Sequence, residues 1–195
     1  MLTLLLDSAN EHLSIGFVQD DELVFAYHEK AWQKQSELMV AIIDKALKEK
    51  GWTRANIDQV MVGIGPGSYT GVRIALTVAK VIAIAINIPL IPVSSLQILS
   101  HPVHPSIVLI NARSNRSYFG VYHGEKTLVE DRILTNEEAI AYCEKNSDYI
   151  LCGDLQYLEL KGVVLNPLSR MKELLPLLKA STDPLQVNPI YLKKL

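Results

Sequence analysis

The chain has 195 residues, of which 49% are hydrophobic and 21% charged, and its formal net charge is −2. This length allows one full core or two small lobes sharing an interface, and the composition excludes the disordered class. A domain that grips nucleic acid mainly by itself carries a strong basic excess, which this chain lacks. Its two cysteines, Cys143 and Cys152, are too few for a disulfide framework and lack metal-ligand spacing, so both are expected as small buried hydrophobes in a reducing compartment.

In chain order, "LTLLLD" is a short apolar run ending in Asp7 and is expected as a buried strand. It has no basic segment before it and reads as a strand rather than a signal peptide. "LSIGFVQ", the turn "DD" and "ELVFAYHE" predict a hairpin of two more strands. "KQSELMVAIIDKALKEKG" carries Leu38, Met39, Ile42, Ile43, Ala46 and Leu47 at helical spacing, with Ser36 as the expected N-cap and Gly51 as the stop. "IDQVMVGIG" predicts a strand, 70–87 a second helix and "IPLIPVSS" another strand.

After the linker "HPVHPS" a similar order begins again. "SIVLINARSNRSYFGVYHGEKTLVEDRIL" reads as three strands, "NEEAIAYCEKN" as a helix, "YILCGD" and "GVVL" as strands and "SRMKELLPLLKA" as a last helix. No residue-level repeat is visible, only this repeat of order. It predicts an α/β protein of two related lobes, an N-terminal one over 1–100 and a shorter one over 101–195. The most apolar window, 72–91, contains Arg73, Lys80, Asn87 and Pro89, which argues against a membrane span and for a cytoplasmic protein.

Two segments invite a functional reading. The first is the loop "GPGSYTG", with Gly65, Gly67 and Gly71 between a strand and a helix. Such a turn exposes backbone N–H groups at the positive end of a helix and can receive an anion. It fits neither the P-loop, which needs a Lys after the last glycine, nor the dinucleotide pattern, which needs a glycine where Thr70 stands. Asp7, Gly65, Gly67, Ser68 and Thr70, with Thr70 as helix cap, are the candidate anion or nucleotide site. The alternative reading gives the glycines a purely conformational and packing role.

The second segment is the helix behind the loop, whose polar residues between Val72 and Ile86 are Arg73, Thr77 and Lys80, all on one narrow stripe. Covering one face of a sheet needs a smaller apolar arc than this helix has. Val40 and Ala41 extend the first helix in the same way. The excess is expected to be buried either between the two lobes or, as the favoured reading, against another subunit. Val40, Ala41, Leu47, Arg73, Thr77, Lys80, Val81 and Ile84 are the expected interface. Catalytic machinery is not evident: His101 and His104 sit in a proline-rich linker, and Ser68 has no partner that would make it a nucleophile.

The segment "GIGPGSYTGVRIALTVAKVIAIAINIPLIPVSSLQIL" resembles the signature of the TsaB (YeaZ) family, relatives of the glycoprotease-like TsaD. "LLLDSAN", "KQSELMVAII", "INARSNRSY" and "NPIYLKK" correspond to further segments of that family. The resemblance implies an actin-like (ASKHA) fold of two RNase-H-like lobes, the second one shortened. It also implies a non-catalytic role in forming threonylcarbamoyladenosine beside the tRNA anticodon. The implied partners are a TsaD-like catalytic subunit, met through the N-lobe helices, and a TsaE-like ATPase; tRNA is reached only through the complex. No cofactor or metal is expected in this chain, ATP and metal being held by the partners, and alone the chain is expected to form a homodimer. Gln35 stands where the family often has His and Met39 follows four residues on, so the metal-binding H-x-x-x-H of TsaD has no counterpart; separately, Asn111 stands where the family has Asp. The alternative is an independent ASKHA-type ATPase or small-molecule kinase using Asp7 and the glycine loop.

Overall fold

A computed structural model describes residues 1–31, 33–181 and 183–192. The first strand, β1 (Leu2–Asp7), is buried along its whole length because helices cover both faces of its sheet, which explains its unbroken apolar run. β2 (His12–Gln19) and β3 (Glu22–Lys30) follow as an antiparallel hairpin, then helix α1 (Gln35–Glu49), β4 (Gln59–Gly63), helix α2 (Tyr69–Ala85) and β5 (Leu90–Val93). The sheet order is β3-β2-β1-β4-β5, with β1, β4 and β5 parallel. Alternate residues of β1 serve opposite faces. Leu4 and Leu6 join Ile15, Phe17, Met39 and Ala79 under α1 and α2, and Leu5 joins Met61 and Ile91 on the other side.

The second lobe repeats this plan with one strand fewer. β6 (Ser106–Asn111), β7 (Arg116–His123), β8 (Lys126–Thr135), helix α3 (Asn136–Lys145) and β9 (Ile150–Gly153) give the order β8-β7-β6-β9, with β6 and β9 parallel. The expected strand "GVVL" reduces to a single bridge from Val163 to Cys152. Both cysteines are buried and unpaired with one another. The chain has the actin-like fold of two RNase-H-like lobes, the C-terminal one shortened.

The last helix, α4 (Pro167–Leu174), crosses back to the first lobe. Asn166 caps it, and Leu168, Met171 and Leu174 close the open face of the first sheet against Leu5, Val18, Met61 and Val93. Sequence order alone places these residues at the end of the second lobe's element series. Two caps also differ from expectation. α1 starts at Gln35 after Lys34 with no side-chain cap, so Ser36 lies within the helix, and α2 is capped by Ser68, not Thr70.

Candidate functional site

Two surfaces collect the candidate residues: the cleft between the lobes and the outward side of α1 and α2. The cleft encloses about 670 Å³ and lies between the turn after β1, the start of α2 and the β6–β7 loop. Gly67, Ser68 and Thr70 line it, whereas Asp7 and Gly65 do not. The glycine loop is pressed onto the turn after β1. A Cβ on Gly71 would stand 1.9 Å from the Ser8 carbonyl oxygen, and one on Gly67 2.3 Å from that of Ala9. These two positions therefore need glycine for close approach.

Three of the loop's N–H groups are committed inside the fold. Gly65 donates to Ser95 Oγ at 3.1 Å, Ser68 to the Ala9 carbonyl at 2.6 Å and Gly71 to Ser68 Oγ at 3.2 Å. Those three donors do not form a phosphate cradle. Asp7 is sealed beneath them, 5% exposed, accepting from Ser95 Oγ at 2.8 Å and from the Ala9 N–H at 3.3 Å. Burial pushes its carboxyl up to about 6, against the pull of those two hydrogen bonds. In this arrangement Asp7 and Gly65 act as packing and tethering groups.

The cleft walls hold residues that sequence reasoning did not single out. Tyr69 and Tyr191 line it and stack with ring centroids 5.0 Å apart; Arg73, already an interface candidate and outside the cleft lining, places its guanidinium 4.7 Å from the Tyr69 ring centre. Asp154 faces the same space, its carboxyl raised by burial and by the nearby Glu11. Arg113, Ser114 and Asn115 all have left-handed backbone, with φ of 60°, 53° and 57°, a strained run for non-glycine residues. Tyr69 and Tyr191 lie 122 positions apart in sequence, and Asp154 and Glu11 143, so no local pattern announces them. Gln35 is buried and donates to the Asn10 carbonyl at 3.3 Å, and Asn111 accepts from the Arg113 N–H at 2.8 Å.

Of the histidines, His101 accepts the N–H groups of Val103 and His104 on its Nδ1, so the loop itself occupies that nitrogen. His12 and His28 stack at 4.8 Å on neighbouring strands. Among the described residues, no three His, Cys, Asp or Glu side chains gather so as to hold a metal ion. No helix among them is long and apolar enough to cross a membrane.

The outward side of α1 and α2 is the second surface. Val81 is 60% exposed, Val40 58% and Ile84 51%. Ala41, Arg73 and Thr77 are exposed with them. A groove of about 420 Å³, lined by Ser36, Tyr69, Thr70, Arg73, Ile74, Thr77 and Val78, runs between the two helices. The apolar excess of α1 is confined to its first half, because Lys48 pairs with Asp44 at 2.6 Å farther along. Two expected interface residues turn elsewhere. Leu47 packs half-buried against the first core, and Lys80 donates to the Leu185 carbonyl at 3.2 Å, fastening the C-terminal segment to α2. Both lie at the margin of the outward arc, where a small rotation decides which way a side chain points. Of the C-terminal "NPIYLKK", Lys193 and Lys194 lie outside the described residues.

Comparisons with known proteins agree with this architecture. A family model described as TsaD: tRNA N6-adenosine threonylcarbamoyltransferase matches residues 28–150. The tRNA threonylcarbamoyladenosine biosynthesis protein TsaB of Haemophilus influenzae is 27% identical over 98% of this chain and 94% of its own length. TsaB of Bacillus subtilis is 30% identical over 67% of this chain and 58% of its own. YeaZ from Pseudomonas aeruginosa superposes with a TM-score of 0.82 at 23% identity, covering 98% of this chain and 99% of that one, and so shares the fold.

Proposed function

The chain belongs to the family described as TsaD: tRNA N6-adenosine threonylcarbamoyltransferase, with TsaB proteins as relatives over nearly its full length, and from that membership we propose that it serves tRNA threonylcarbamoyladenosine biosynthesis as a non-catalytic subunit. Its partner is a TsaD-like catalytic subunit, which brings the metal. A TsaE-like ATPase joins them, so that ATP and tRNA are handled by the complex in the cytoplasm and not by this chain alone. The observation that carries the reading is the apolar outward face of α1 and α2, with Val40, Val81 and Ile84 each more than half exposed.

A surface of this kind is costly to leave in water and fits the packing of two helices from another chain into a bundle. Such packing activates the partner only by binding its competent conformation more tightly than the alternatives. Without the partner, the same face closes a homodimer.

Val81→Glu and Ile84→Arg test the placement. A charge forced into the centre of a desolvated interface lowers affinity by about 100-fold or more, while at these exposed positions the monomer should still fold, with an unchanged far-ultraviolet circular dichroism spectrum. The expected result is a folded variant that no longer co-purifies with the TsaD-like subunit of the same organism. A folded variant that still co-purifies places the interface elsewhere.

A further inference from the structure

The lobes are joined by the linker 94–105 and by the return of α4, and several polar contacts at this junction meet on one element, the β7–β8 hairpin. Ser94 Oγ donates to Asp131 on β8 at 2.5 Å, and Tyr122 on β7 donates to the other oxygen of that carboxylate. The same Ser94 Oγ accepts the N–H groups of Leu96 at 3.1 Å and Gln97 at 3.4 Å, so the hydroxyl that holds the second lobe also fixes the linker's own turn. Its neighbour Ser95 donates to Asp7 in the first sheet. Adjacent serines thus tie the linker to a carboxylate in each lobe, the buried Asp7 and the half-buried Asp131.

The hairpin tip is gripped as well. Gln97, 7% exposed, donates from Nε2 to the Glu125 carbonyl at 3.0 Å. From the other side comes Arg170 of α4, only 4% exposed, whose Nη2 donates to the Gly124 carbonyl at 2.6 Å and to Ser100 Oγ at 3.4 Å. Its Nη1 pairs with Glu173 at 3.2 Å, and its Nε has no hydrogen-bond partner among the described residues. A guanidinium this deeply buried depends on the bonds it makes, because breaking one leaves charge without compensation.

We propose that these contacts clamp the hinge, so that the two lobes move as one rigid body and the cleft does not open and close around a ligand. Rotating the second lobe about the linker would carry the hairpin away from Ser94, Gln97 and Arg170 together. Arg170 and Gln97 belong to different elements and hold successive residues of the tip. The inference concerns lobe motion and stands apart from the identity of the partner.

The test is the distribution of distances between spin labels on an exposed residue of each lobe, introduced by Lys45→Cys and Glu144→Cys. The native thiols of Cys143 and Cys152 are buried and pushed up to about 11, so they react slowly. Labelled chain is diluted with unlabelled chain so that only distances within one molecule are read. The expected result is a single narrow peak, the same with and without Mg·ATP, that at least doubles in width in the Ser94→Ala/Arg170→Met double variant. A broad or two-peaked wild-type distribution, a shift with Mg·ATP, or a folded double variant as narrow as wild type overturns the clamp. Should the double variant fail to fold, Gln97→Ala replaces it, with the same broadening expected, and the wild-type traces decide independently.

Discussion

Between the start of α2 and the Ser8 carbonyl there is room for a hydrogen atom and nothing more. Gly71→Ala should therefore move α2 off the turn after β1, because the added carbon meets rigid backbone and not a yielding side-chain end. The expected loss is at least ~2 kcal/mol of unfolding free energy, measured by denaturant titration. Asp7 supplies a second prediction of the same scale. Its folded-state value of about 6 lies above the ordinary 3.8, so the folded chain holds this proton more tightly than the unfolded chain. Its contribution is fully present below the unfolded value and is lost as pH rises through about 6. Measured against Asp7→Asn, wild-type stability should fall by about 2 kcal/mol from pH 4 to pH 8; a difference that is flat across that range would refute the buried ionisation. The sequence showed Asp7 at a strand end and the glycines in a turn. It could not show that Ser95, 88 positions away, closes over the carboxyl.

Among the elements, α1 and α2 were legible because a 3.6-residue period over 15 and 17 residues is a strong signal. Their boundaries were less so, since Ser36, Thr70 and Ser68 all have capping side chains and only the path of the incoming chain selects among them. Ser68→Ala should cost α2 about 1 kcal/mol, read as a lower denaturation midpoint, whereas Thr70→Ala should cost little. The outward stripe was also legible in outline: Val40, Val81 and Ile84 emerge, while Leu47 and Lys80 are drawn aside by the core and by the C-terminal segment. The placement of α4 was not legible. Leu168, Met171 and Leu174 give it an apolar face, but an eight-residue helix carries no mark of which sheet that face will cover.

For the whole molecule, the repeated order of strands and helices was enough to read two related lobes from sequence, since each order follows from local periodicity and turn residues. How the lobes are joined depends on contacts distant in the chain, such as Arg170 with Gly124, and these leave no local pattern. The cleft between the lobes has a Tyr69–Tyr191 stack in its lining and leaves Asp7 sealed outside it, while Val40, Val81 and Ile84 of the apolar helices are exposed to solvent. This distribution of surfaces fits a chain whose work is done by its outer face. The most direct measurement is the mass in solution of the purified chain, alone and after mixing with the TsaD-like subunit of its own organism. A homodimer that gives way to a one-to-one heterodimer is the predicted result. A monomer whose mass does not change on mixing would contradict the proposed role at its centre.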